Sequence, residues 1–96
     1  MAAINDMRRR AYVIYGGDVQ GVGFRYTARA LASRYVIDGF VKNLTNGTVE
    51  LAAQGDETTV TEFLDELKRR MAGHVRSADI SWQPPGENLR GFTVRF

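Results

Sequence analysis

FVKNLTNGTVELAA, Phe40 to Ala53, places two apolar-rich runs on either side of Asn46-Gly47, and the register between them decides what enters a core. A two-residue turn would pair Asn43 with Glu50 and bring Lys42 onto the face of Val49 and Leu51. A three-residue loop, Thr45-Asn46-Gly47, pairs Lys42 with Glu50 instead and gathers Val41, Val49, Leu51 and Ala53 on one face. Side chains alternate along a strand, so a slip of one residue would send the whole apolar set to solvent. The second register separates apolar from charged residues, and Gly47 can take the left-handed conformation such loops require. Phe40–Leu44 and Thr48–Ala53 are therefore read as a hairpin, with Asn43 on its buried face at the end of the first strand.

Before the hairpin, Arg9 to Tyr15 is rich in Tyr, Val and Ile and reads as a strand closed by Gly16-Gly17. Phe24, Ala28, Leu31, Ala32 and Tyr35 then recur at helical spacing, with Val36-Ile37 leading out before Gly39. After the hairpin, Gly55-Asp56 is expected to break the strand. Val60, Phe63, Leu64, Leu67 and Met71 make a second helical stripe. Thr59 followed by Glu62 suggests a capping box, and Gly73 a stop. Ile80 and Trp82 alternate in a fourth strand ended by Pro84-Pro85, and Phe92, Val94 and Phe96 in a short fifth. Residues 1–8 carry no pattern and are expected to be a flexible N-terminal segment, with 9–96 a single domain. The order βαββαβ plus a C-terminal strand implies an α+β, two-layer sandwich: a mostly antiparallel sheet with two helices on one face.

Composition narrows the chemistry. The chain has 96 residues, 44% hydrophobic and 25% charged, which are ordinary globular values. A domain this size buries roughly two-thirds of its unfolded surface and can fold without staples. With no cysteine, disulfides, thiolate nucleophiles and thiolate-bound metals are excluded; with one histidine, His74, so is a multi-histidine metal site. A net charge of +2 favours anionic ligands weakly and falls short of a nucleic-acid-binding signature. Arg8-Arg9-Arg10 precedes an apolar run too short for a secretory signal, and no stretch approaches membrane-spanning length, so a cytoplasmic location is expected. The matches to glycosylation acceptors at Asn43 and Asn46 are then idle.

DVQGVGFR, Asp18 to Arg25, connects the first strand to the first helix and holds two glycines and an arginine. Successive backbone N–H groups in such a loop can converge on one anion, and the helix N-terminus adds its dipole. Glycine permits positive φ, and a guanidinium matches two phosphate oxygens. Gln20, Gly21, Val22, Gly23, Phe24 and Arg25 can thus be read as a phosphate cradle of backbone amides and one cation. The alternative is a plain turn with a surface arginine. The lysine of a P-loop and the third glycine of a dinucleotide fingerprint are both absent.

GDVQGVGFRY, Gly17–Tyr26, followed by GFVKNLTNGTVELAAQG, Gly39–Gly55, resembles the acylphosphatase family, and the likeness extends from about Arg9 to Phe96. The resemblance implies a ferredoxin-like fold and hydrolysis of acyl phosphates to carboxylate and inorganic phosphate, with no metal and no cofactor. It implies Arg25 as the phosphate-binding catalytic arginine beside the amides of Gln20 through Arg25. It implies Asn43 as the residue that orients the attacking water. The expected partners are a small acyl phosphate and inorganic phosphate or sulfate, with no nucleic acid and no membrane, and the chain is expected to act as a monomer. Asp18 stands where the family usually carries a neutral or basic residue and is expected to point to solvent. Phe40 replaces a common tryptophan and Lys42 a common arginine. His74 is read as a solvent-side residue near the end of the second helix, and Trp82 as core or sheet surface. An RNA-binding module of the same element order is the rival, since GVGFRY faintly echoes an aromatic RNA-binding motif. That motif belongs on a central strand, and here the letters fall in a loop. A carbamoyl-phosphate-handling domain of a larger enzyme is a second rival.

Overall fold

The computed structural model describes residues 8–86 and 89–96. Strands β1 (Arg8–Gly17), β2 (Ile37–Asn43), β3 (Val49–Asp56), β4 (Val75–Gln83) and β5 (Phe92–Arg95) and helices α1 (Phe24–Ala32) and α2 (Glu57–Arg70) follow the expected order. The sheet runs β4-β1-β3-β2-β5, antiparallel throughout except for the parallel pair β2–β5. The expectation of flexibility over residues 1–7 lies outside the described residues, while Arg8 opens β1 rather than preceding it.

The hairpin takes the three-residue register: Lys42 lies opposite Glu50 and Asn43 opposite Val49. Leu44 N–H donates to Thr48 O at 2.9 Å and Gly47 has φ +90°. Asn46 Oδ1 closes the loop by accepting from Thr48 N and Oγ1. Alternation then places Ala11, Val13 and Tyr15 of β1, Ile37 and Val41 of β2, and Val49, Leu51 and Ala53 of β3 in one buried cluster. Phe24, Ala28, Leu31 and Ala32 of α1 and Val60, Phe63, Leu64 and Leu67 of α2 complete that cluster, so both helices cover the same face. Burying a side chain such as Phe63 or Leu51 completely is worth about 1.5–3 kcal/mol.

Several boundaries differ from the sequence expectation. β3 continues through Gly55-Asp56, because Gly55 still pairs with Arg9 and Ile37. The cap of α2 is Asp56, not Thr59: its carboxylate accepts from Thr58 N at 3.1 Å and Thr59 N at 3.4 Å. Helix α1 stops at Ala32, so Tyr35 packs on Phe63 from the connection beyond. The Tyr35 hydroxyl donates to Glu66, which also pairs with Arg34 and Arg70. The hydrogen bond from Tyr35 and the two arginines hold the Glu66 carboxyl below its ordinary value. β4 begins at Val75, five residues before Ile80. Ile80 and Trp82 lie opposite Val13 and Ala11 on the helix side of an edge strand and stay partly exposed.

Just past Pro84-Pro85, Gly86 lies against the face of the sheet that no helix covers. Gly86 N–H donates to Gln54 Oε1 at 2.8 Å, beside Arg10 Nε at 3.2 Å, and Gly91 N–H donates to Asp38 at 2.8 Å. Gln54 is thus buried on the outer face with its side-chain oxygen satisfied by Gly86 and Arg10. Among the described residues no helix is long and apolar enough to cross a membrane.

Candidate active site

The loop after β1 is pinned at both ends. At its start, Gly17 has φ +119°, and a Cβ there would lie 2.6 Å from His74 O and 2.7 Å from Arg76 N, so only glycine admits the approach. Asp18 N–H donates to the same His74 carbonyl at 2.9 Å. The Asp18 carboxylate turns outward, 69% exposed, with Oδ2 3.8 Å from His74 Nδ1, so this acid does not face the cradle. At its other end Phe24 is buried, its ring 4.8 Å from that of Tyr15 on β1. Val19 is buried as well.

Between these plugs the backbone arches outward. Gly21 and Gly23 both have φ +79°, in the left-handed region where a side chain costs about 1 kcal/mol or more. Gly23 is the N-cap of α1 and offers no side-chain cap, so the first-turn amides of the helix stay open. Among the described residues, none accepts a hydrogen bond from the amides of Gln20, Gly21, Val22 or Gly23. The dipole of α1 points its positive end to the same spot, and no acidic residue occupies the first turn to neutralise it.

Arg25 and Asn43 meet here. A cleft of about 220 Å³ is lined by Val19, Gly21, Gly23, Phe24, Arg25, Tyr26 and Asn43. The β1–α1 loop and the end of β2 thus form its two sides. Arg25 is half-buried and forms no ion pair among the described residues. The Asn43 side-chain oxygen is buried with no hydrogen-bond partner among the described residues. An orphaned buried acceptor is costly, and its place in a cleft marks a position for a donor such as water. A cation without an ion pair among the described residues, open amides and an asparagine with an unsatisfied oxygen gathered around one hollow suit a tetrahedral anion approached by a water molecule.

Sequence reasoning did not find what holds the two sides in register. Gln20 Nε2 donates to Leu44 O at 2.7 Å and to Thr48 O at 2.8 Å, stapling the cradle to the hairpin that carries Asn43. Nothing in the spacing marked its side chain; only the carbonyls flanking a three-residue hairpin loop make it necessary. The rings beside Arg25 were also missed: its guanidinium carbon lies 5.7 Å from the centre of Tyr26 and 4.9 Å from that of Phe96. Of the two aromatics in GVGFRY, Phe24 is buried and Tyr26 exposed, and both lie on α1 rather than on a central strand.

The family model described as Acylphosphatase matches residues 11–94, which include the whole cradle and Asn43. The chain belongs to the acylphosphatase family. An acylphosphatase of Clostridium acetobutylicum is 46% identical over 90 residues, which cover 92% of this chain and 98% of that protein. The crystal structure of acylphosphatase from Bacillus subtilis matches with a TM-score of 0.82 at 28% identity, over 92% of this chain and 99% of that one. A full-length HypF in a phosphate- and nucleotide-bound form matches with a TM-score of 0.83 at 23% identity, over 93% of this chain and 12% of that one. This last likeness is one of fold alone. The ferredoxin-like arrangement of an acylphosphatase is thus the arrangement that brings the β1–α1 loop against the β2–β3 hairpin.

Proposed function

We propose that Arg25, the amides of Gln20 to Arg25, and Asn43 together carry out the acyl phosphate hydrolysis of this family. The amides and the guanidinium grip the phosphoryl oxygens and offset the charge that spreads over them in the transition state. The Asn43 carbonyl accepts from a water and holds it in line behind phosphorus. The water oxygen forms the new bond to phosphorus, and the bond from phosphorus to the acyl oxygen breaks. The acyl group leaves with the electron pair as a carboxylate, and the water's proton passes to a phosphoryl oxygen.

The leaving group explains why so little machinery suffices. A carboxylate has a conjugate acid of pKa near ~4–5, so it departs without a general acid. Among the residues lining the cleft, the ionisable side chains are Arg25 and Tyr26.

The observation that carries this reading is that Asn43, whose buried side-chain oxygen has no hydrogen-bond partner among the described residues, lines the same cleft as Arg25, which forms no ion pair among them. The test is hydrolysis of acetyl phosphate by the purified chain in the presence of a chelator, with inorganic phosphate as inhibitor. Turnover that survives the chelator and is inhibited competitively by phosphate is expected. Dependence on an added divalent ion, or phosphate that fails to compete, would overturn it.

A further inference from the structure

Tyr26 and Phe96 are 49% and 85% exposed, among the most exposed large apolar side chains in the molecule. Both lie beside one cation, the Arg25 guanidinium. A second guanidinium, that of Arg29, sits 5.4 Å from the Tyr26 ring centre and helps fix that ring at the cleft wall. Attraction between a cation and a ring accounts for their closeness to Arg25. It does not account for the ring surface left in water, which is unfavourable for the free protein and is recovered only when something apolar covers it.

The geometry of the reaction says what would cover it. In an acyl phosphate a single bridging oxygen separates phosphorus from the acyl carbon. With the phosphoryl group in the cradle and against Arg25, the acyl substituent must emerge beside whatever flanks that guanidinium. Tyr26 and Phe96 flank it from α1 and from the end of β5. We infer that these two rings form the acyl-group subsite, and that it selects substrates with an aromatic or bulky apolar acyl group over small aliphatic ones. The inference rests on the assignment of Arg25 as the phosphate-binding residue. Aromatic groups suit such a site because rings stack edge-to-face or offset at little cost in conformational freedom.

The experiment compares kcat/KM for benzoyl phosphate and acetyl phosphate in the native chain, in Tyr26→Ala, in Phe96→Ala, in the double variant and in Tyr26→Phe. The benzoyl-to-acetyl ratio is expected to fall about ten-fold in the double variant, chiefly through KM for benzoyl phosphate. Tyr26→Phe keeps the ring and is expected to keep the ratio within about two-fold. Inhibition by inorganic phosphate, which has no acyl group, should shift far less than the benzoyl KM. If both substrates lose activity in proportion, the rings only hold Arg25 and the subsite is overturned. A native chain that hydrolyses acetyl phosphate but shows the same ratio in every variant overturns the subsite and leaves the reaction standing. A native chain that hydrolyses neither substrate overturns both. The exposure of both side chains makes misfolding of these variants easy to exclude by an unchanged thermal midpoint.

Discussion

Gln20 reaches from the β1–α1 loop to Leu44 at the end of β2, donating from Nε2 to its carbonyl at 2.7 Å, and closes the same fork on Thr48 at 2.8 Å. This one amide ties the loop proposed to grip phosphate to the hairpin that carries Asn43, the residue proposed to aim water. Removing the amide takes away two hydrogen bonds, each worth about 0.5–1.5 kcal/mol, though Gly47 N–H still donates to Leu44 O and Leu44 N–H to Thr48 O. Gln20→Ala is expected to lower stability by about 1–3 kcal/mol. It should also lower kcat more than it raises KM, because in-line geometry suffers before phosphate contact does. Denaturant unfolding and steady-state kinetics on the same preparation check both. A variant that loses stability but keeps kcat would show that the staple serves the fold alone.

The hairpin register was legible because Lys42 cannot share a face with Val49 and Leu51 without burying charge, and the three-residue loop sets it opposite Glu50 instead. The left-handed turns at Gly21 and Gly23 were legible because two glycines at a strand-to-helix junction call for positive φ. The Asp56 cap was not, since Thr59 and Glu62 imitate a capping box three residues downstream and only strand pairing at Gly55 shows where β3 stops. The start of β4 was not either. Val75 to Asp79 show little apolar alternation because this edge strand is exposed along most of its length. Phe96 read as a strand residue, and its proximity to Arg25 depends on β5 pairing in parallel beside β2, a long-range contact with no local signature.

Arg25 makes no ion pair among the described residues, so its removal should cost activity and spare the fold. Arg25→Ala is expected to reduce kcat/KM by about 10²–10³ or more, the scale for losing one preorganised donor at a developing oxyanion. Arg25→Lys should recover only a small part, since an ammonium cannot present a planar fork to two oxygens. The thermal midpoint should move little in either. An Arg25→Ala chain with near-native turnover would be irreconcilable with the assignment.

Tyr12 and Glu50 face each other on the uncovered side of the sheet, the hydroxyl donating to Glu50 Oε2. That hydrogen bond, then desolvation and the carboxylate's charge, push the Tyr12 pKa up to about 12 from 10.0. A folded-state pKa above the unfolded one means the fold favours the protonated hydroxyl. The resulting stability is fully present below pH 10 and is lost as pH rises from there through about 12. Tyr35, raised by its hydrogen bond to Glu66, and Tyr15, raised by burial, act in the same direction. The difference between the native chain and Tyr12→Phe isolates the first of the three. The native chain should lose stability more steeply between pH 10 and 12 than Tyr12→Phe, as read by chemical denaturation at fixed ionic strength.

Asn43 offers the sharpest separation of fold from function. Its side-chain oxygen is buried and without a partner among the described residues, so the folded chain bears a desolvation cost at that atom. Truncation to alanine removes the atom and with it the cost, so Asn43→Ala should be no less stable than the native chain, and could gain up to about 1 kcal/mol. The same change removes the acceptor proposed to aim water. Turnover should therefore fall by about 10²-fold or more, while inorganic phosphate, held by the amides and Arg25, should still bind with native affinity. Isothermal titration with phosphate and single-turnover hydrolysis measure the two sides of this contrast. Loss of phosphate binding together with turnover would move Asn43 from aiming water to gripping the anion. A fall in stability matching the fall in rate would make it a strand residue and nothing more.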